Sequence, residues 1–202
     1  MIECYCAATT NSRKVLMMLE ECGLAYQRRL VDLAGGEQRS AAYLALNPAG
    51  AVPLIIDADG PGGEPMTLAQ SFAICLYLAE KSGRLLPGET RLRAEVLQWS
   101  AFGASDLAAC TTGLYLLSRP GDEQQRGLAI MRDRLTRYLA VLDAQLAGSD
   151  FVTGDFSMAD ILIYPTLLAP FVVEVLRSGR AFNRIENWLK RMAERPAIAR
   201  GM

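Results

Sequence analysis

Asn47 to Glu80 reads NPAGAVPLIIDADGPGGEPMTLAQSFAICLYLAE, and this stretch organises the rest of the chain. Its apolar run, Val52 to Ile56, lies between Asn47-Pro48 and a polar Gly/Pro cluster, Asp57 to Pro65. That bounding reads as a buried strand followed by a hairpin turn. Pro53 removes a ladder donor, so it belongs at the strand's first position or at an edge. From Ser71 the spacing turns helical, with Ala73, Ile74, Leu76, Tyr77 and Leu78 recurring at three- and four-residue steps.

Two features of the stretch suit a ligand as well as a scaffold. Val52 precedes a proline, so its backbone is pushed extended, and its N–H and C=O can pair with an added peptide strand. Gln70-Ser71 stands at a helix N-terminus, where unpaired N–H groups and the positive end of the dipole accept a carboxylate. Together they describe a pocket for a short, anionic, peptide-like molecule. An ordinary proline and an ordinary serine cap would read the same way when taken singly.

Bulk properties narrow the class. With 202 residues, 21 basic and 22 acidic side chains and 51% hydrophobic content, the chain can build a proper core and has no basic excess for nucleic acid. No apolar run reaches the ~18 residues of a membrane span. The start, MIECYCAATTNSRKV, lacks the pattern of a signal peptide, so a cytoplasmic protein is expected. Cys4, Cys6, Cys22, Cys75 and Cys110 form an odd set with no CxxC, which suggests neither a disulfide framework nor a metal site. Each lies in an apolar stretch and reads as a small core residue. Histidine is absent, so Ser-His-Asp and Cys-His mechanisms are excluded, and catalysis must proceed without an imidazole base.

Taken in order, Ile2 to Cys6 reads as a strand, and Arg13 to Cys22 as a helix capped by Asn11 or Ser12 and stopped by Gly23. Tyr26 to Val31 is a second strand and Ala41 to Leu46 a short helix. With the stretch above, the order β-α-β-α-β-β-α is that of a thioredoxin-like domain over residues 1–82. Residues 83–89 read as a linker and 90–202 as an all-helical domain. Its expected elements are a helix from Arg91 to about Leu117, a turn at Arg119-Pro120-Gly121-Asp122 with Asp122 as cap, and a helix from Glu123 to Leu146. A helix starting on a Ser157/Asp160 capping box follows, with Phe156 stapling onto Ile161 and with Pro165 and Pro170 shortening or kinking it. Phe182 to Glu194 closes the chain, with Trp188, Leu189 and Met192 inward.

Val52-Pro53, then Gln70-Ser71, then the AICLYLAEK helix resembles the glutathione-binding half of the glutathione transferase superfamily. The all-helical second half extends that resemblance over nearly the whole chain. Glu95-Val-Leu-Gln-Trp99 and the N-terminal MIECYCAATTNSRKV are similar to the nu class and its fungal prion-regulator-like relatives. The resemblance implies an α/β plus all-α architecture, the glutathione transferase fold, a cis Val52-Pro53 bond and a homodimer. It implies glutathione as cosubstrate, with no metal: Val52 pairs its backbone with the cysteinyl part, Gln70 and Ser71 hold the γ-glutamyl carboxylate, and Gln38 borders the glycyl end. Ala51 stands where many relatives carry a lysine or asparagine donor.

Chemistry then falls to the first strand-to-helix turn. Glutathione's thiol resembles a free cysteine of pKa ~8.5, and the thiolate is the nucleophile. Lowering that value by two units takes roughly 2.7 kcal/mol of preference for the anion. One charge-assisted hydrogen bond supplies about 1.5–3 kcal/mol and a helix N-terminus about 0.3–1. Polar donors at the start of the first helix therefore suffice. By resemblance to the nu class these are the Thr9 hydroxyl and the Asn11 amide; Ser12 is the competitor, as in serine-using classes of isomerase or dehalogenase type. The second substrate, a small electrophile or disulfide, is expected between the domains against Trp99, Phe102 and Asp106, which share one helix face with Cys110. Arg132, Arg134 and Arg137 read as a solvated basic face. The implied activity is disulfide-bond reduction or conjugation to electrophiles; the non-enzymatic alternative is a glutathione-binding interaction module.

Overall fold

The computed structural model of the chain describes residues 1–118, 124–178 and 181–202. It divides into two compact units, residues 1–86 with 196–202, and residues 87–195. The turn expected at Arg119 to Asp122, and Glu123 after it, lie outside the described residues.

The first unit is built on a four-stranded sheet of β1 (Ile2–Cys6), β2 (Tyr26–Leu30), β3 (Leu54–Asp57) and β4 (Met66–Ala69) in the order β2-β1-β3-β4. β1 runs parallel to β2 and antiparallel to β3, and β3 is antiparallel to β4. Alternation in β1 turns Ile2, Cys4 and Cys6 into the core. Between the strands run α1 (Thr10–Cys22), α2 (Ala41–Leu46) and, after β4, α3 (Ser71–Ser82). α1 carries an uninterrupted buried run, Lys14 to Leu19, and Gly23 ends it in the left-handed region (φ 67°).

Three boundaries differ from the sequence reading. The cap of α1 is Thr9, whose backbone is extended and whose hydroxyl accepts the Ser12 N–H; Asn11 and Ser12 lie inside the first turn. The third strand begins at Leu54, because Pro53 offers no N–H to the ladder, and the Val52-Pro53 bond before it is cis. The last segment, α10 (Pro196–Gly201), packs on α1 within the first unit, not with the helical unit. Gly201 makes this possible: a Cβ there would stand 2.6 Å from the Met17 nitrogen.

The second unit is helical. α4 (Thr90–Phe102) continues through a π-helical turn, Gly103–Leu107, into α5 (Ala108–Leu117), so the single helix expected there carries a wide turn. α6 (Gln125–Gln145), α7 (Met158–Leu167), α8 (Pro170–Arg177) and α9 (Asn183–Ala193) follow. Gly103 lets α4 approach α7, since a Cβ would meet Ile163 at 2.8 Å. Pro165 stays within α7, and the chain bends by 83° into α8, which opens on Pro170. The Ser157/Asp160 capping box forms in full. The Phe156 ring rests against Phe151 (centroids 5.3 Å) and under the Arg195 guanidinium. Trp188 and Met192 are buried and Leu189 half-buried. Among the described residues no single helix is long and apolar enough to cross a membrane.

Candidate functional site

Register brings the distant motifs of the first unit together. Tyr5 pairs with Leu54, and Leu54 with Ala69. The Ala7–Thr9 loop, the Val52-Pro53 dipeptide and the Gln70-Ser71 step therefore all leave the sheet at one end. α1 packs on α3, and each follows a strand, β1 and β4, that runs the same way in the sheet, so the two helices run side by side in the same direction. Their N-termini consequently converge at that same end of the sheet, two sets of unpaired N–H groups with their positive dipole ends.

Each motif is held locally. Thr9 Oγ1 accepts the Ser12 N–H (3.1 Å) and donates to Ser12 Oγ (3.0 Å), which also accepts the Ala7 N–H (3.2 Å). Ser12 is thereby locked inside the turn, with 0% of its surface exposed. Asn11, one residue earlier, is exposed, and its amide makes no hydrogen bond among the described residues. The turn entering Val52 is clamped at Ala51, whose carbonyl accepts from both Tyr43 Oη (2.8 Å) and Asn47 Nδ2 (2.7 Å). Val52 itself makes no backbone hydrogen bond among the described residues and is half-buried.

Gln70 sits at φ 73°, ψ 113°, a conformation a non-glycine residue rarely adopts. Such strain costs about 1–3 kcal/mol and collects at functional sites. Here it turns the chain sharply from β4 into α3, aiming the free N–H groups of Ser71 and Phe72 outward, while the Gln70 carbonyl accepts from Ile74 (2.9 Å). Gln38, in a short turn after Gly36, donates to the Leu33 carbonyl (3.5 Å), and its Oε1 is buried without a partner.

The sequence reading passed over three residues of this end. Tyr43 and Asn47 act through Ala51. Lys14 is the third, buried to 1%, a residue type that is almost never fully buried without a pair. In the sequence it stands in the MIECYCAATTNSRKV pattern without an assigned role, against the apolar run Val15 to Leu19. Burial pulls its amine down to about 8, against the opposing pull of Cys75. Cys4 and Cys6 face the core together; contact between the two thiols holds Cys6 below and Cys4 above the ordinary value. All five cysteines are free and buried. Among the described residues no group of three or more Cys, Asp or Glu could hold a metal ion.

In the helical unit, Trp99, Phe102 and Asp106 do come together. Phe102 meets Trp99 and Tyr138 edge to face (5.2 and 5.5 Å), and Tyr138 Oη donates to Asp106 (2.8 Å) while accepting from Arg134 Nε (2.9 Å). A cavity of about 360 Å³ opens beside them, lined also by Ser105 and Val141. Arg132 pairs with Glu174, and Arg137 with Asp133.

Comparison with known proteins gives a consistent result. Residues 10–81 match the glutathione S-transferase N-terminal domain and residues 107–196 the C-terminal domain of the same family. The chain is 33% identical to the disulfide-bond oxidoreductase YfcG of Escherichia coli, over 100% of this chain and 94% of that protein. It is 31% identical to the glutathione S-transferase GstB of Escherichia coli, over 94% of this chain and 91% of that one. Among solved structures, a glutathione transferase from Burkholderia graminis, with two glutathione molecules bound per subunit, superposes with a TM-score of 0.93 at 33% identity, covering 99% of this chain and 86% of its own. One from Pseudomonas putida, with one glutathione disulfide bound per subunit, gives 0.92 at 32% identity, covering 99% and 90%.

Proposed function

Because this chain belongs to the glutathione S-transferase family, we propose that it binds glutathione where the two helix N-termini converge and holds its sulfur as the thiolate for attack on small disulfides. The observation that carries this reading is the pairing, at one end of the sheet, of a free Asn11 amide with an unbonded Val52 backbone. Val52 offers the two bonds of a peptide ladder to the cysteinyl residue, and the α3 N-terminus at Gln70-Ser71 offers donors to the γ-glutamyl carboxylate. Gln38 borders the glycyl end. Asn11 and the α1 N-terminus stabilise the anion, with Thr9 fixing the turn.

The reaction balances with two glutathiones. The bound thiolate attacks one sulfur of the disulfide, forms a mixed disulfide and expels the other half as a thiolate. A second glutathione thiolate then attacks the glutathione sulfur of that mixed disulfide, releasing the remaining half and leaving glutathione disulfide; each expelled thiolate takes up a proton from water. The naming of one relative as a disulfide-bond oxidoreductase supports this choice over conjugation. Trp99, Phe102 and Asp106 would take the second substrate. The protein is read as cytoplasmic and homodimeric, and the exposed Leu92, Tyr115, Leu116, Ile130 and Val141 of the helical unit support the second part of that reading.

The reading with Ser12 as the sulfur's partner is disfavoured by its burial within the turn. Absorbance titration of the thiolate in the glutathione complex tests the choice. Asn11→Ala should move the thiol back toward its free value by about 1–2 units and cut disulfide turnover by about 10–100-fold, in line with ~1.5–3 kcal/mol for a hydrogen bond to a charge. If Ser12→Ala alone does so, the assignment is wrong. Glutathione binding without turnover of any disulfide or electrophile would leave an interaction module.

A further inference from the structure

Lys14 has no role in the chemistry above, yet it is the most anomalous side chain in the first unit. It is buried to 1% between α1 and the elements packed on it, and makes no hydrogen bond or ion pair among the described residues. Its neighbour on α3 is Cys75, fully buried and pushed up by that burial to about 12, hence a neutral thiol. Cys4 on β1 and Cys22, two turns further along α1, act on Cys75 through space, and burial holds Cys22 up as well. On α10, Arg200 is already paired with Glu20 (2.6 Å). Among the described residues no carboxylate makes a hydrogen bond or ion pair with the ammonium, and an unpaired buried charge is costly.

Its position gives the charge a use. Lys14 stands five residues past the Thr9 cap and Cys75 five past the Gln70 cap, so each residue sits in the second turn of its helix. Helical side chains lean toward the N-terminus, which carries a four-carbon stem toward the turn that Asn11 and Ser12 form. Resting on the glutathione reading of that turn, we propose that Lys14 is a positioning residue whose buried positive charge is completed by the bound thiolate, so that sulfur ionisation and lysine protonation favour one another. Linkage makes the effect reciprocal: the thiolate raises the lysine's proton affinity, and the lysine lowers the thiol's.

The chain has only three lysines, Lys14, Lys81 and Lys190, and the other two are exposed, so labelled-lysine NMR resolves the buried one against internal controls. Saturating glutathione should raise the Lys14 titration midpoint by about one pH unit, the low end for an opposite charge nearby, and leave Lys81 and Lys190 in place. S-methylglutathione, which keeps both carboxylates and lacks the thiolate, should move Lys14 by less than half as much. In thiolate titrations Lys14→Met should cut the bound thiolate fraction about tenfold at a given pH below the midpoint, and Lys14→Arg should restore it. An unmoved Lys14 signal, an equal response to S-methylglutathione, or a wild-type thiol pKa in Lys14→Met overturns the proposal; where Lys14→Met does not fold, the wild-type titration decides alone. Absence of any thiolate in the wild-type complex instead overturns the site reading itself.

Discussion

Asp160 in the helical unit and Lys14 in the sheet unit are both buried to within 1%, and the fold treats them in opposite ways. Asp160 collects four donors: the Val152 and Ser157 N–H groups (3.0 Å each), Ser157 Oγ (3.3 Å) and Trp188 Nε1 (2.8 Å). Burial pushes its carboxyl up while those donors pull it down. Lys14 collects none among the described residues. A buried charge whose partners all come from the chain itself is part of the scaffold. One left without partners where two helix N-termini converge is available to something that arrives later. Asp57 is an intermediate case, buried but with one partner, Lys81, reaching it from the surface.

Asp160 carries the largest expected effect. Asp160→Ala strands two backbone N–H groups, a hydroxyl and the Trp188 indole in the core, each unpaired donor costing about 1–3 kcal/mol. A loss of roughly 3–5 kcal/mol in urea unfolding is expected, among the largest for any single substitution. Trp188→Phe, which keeps the ring and removes one donor, should lose less. A cost under 1 kcal/mol for Asp160→Ala would mean that the four bonds do not hold the carboxylate as described.

Lys14 predicts the opposite sign. Its folded value, about 8, lies below the ordinary 10.5, so between them the unfolded chain binds the extra proton and stability rises with pH. The gap is worth about 3 kcal/mol. Lys14→Met should therefore stabilise the unliganded protein at neutral pH by up to that amount, and the rise between pH 8 and 10.5 should disappear. Urea midpoints at pH 7 and 10 measure both. A stabilised variant that also loses thiolate would show function held at the expense of stability.

How much of this was legible before the fold depends on whether the signal is local. Gln70-Ser71 and the Ser157/Asp160 box are each read within four residues, and a helix starts at each; Val52-Pro53 marks the start of the third strand to within one residue. The cap of α1 is not legible in this way, because Thr9, Thr10, Asn11 and Ser12 are four polar residues in a row and all four are cap-forming types; Thr9 is the one whose backbone is extended. The π-helical turn at Gly103–Leu107 changes the helical period by a single residue, below what apolar spacing can register. Gln70's positive φ has no sequence signature, since nothing in glutamine favours it. Lys14 was illegible for a different reason. Burial and the lack of a partner are tertiary facts, and one lysine beside an apolar run reads as any snorkelling surface residue. The return of residues 196–202 to the first unit is tertiary too, with Gly201 against Met17 as its trace.

The smallest effect sharpens the intermediate case. Asp57 accepts from Tyr77 Oη (2.6 Å), the Asp59 N–H (3.0 Å) and Lys81 Nζ (2.9 Å). Burial alone would raise its carboxyl, but the Tyr77 and Lys81 bonds outweigh it and hold the group below the ordinary carboxylate value. A depressed carboxylate contributes stability that is present above its unfolded value and lost as pH falls through the folded one. Lys81→Met removes the single partner that solvent can replace, so it should cost only about 1 kcal/mol at neutral pH. The variant's acid limb should also begin at higher pH than the wild type's. If water substitutes for the ammonium, added salt should weaken the wild type toward the variant and leave the variant unchanged. A variant that instead loses as much as Asp160→Ala would place Asp57 with the fully internal charges, and the distinction drawn from Lys14 would then rest on burial depth alone.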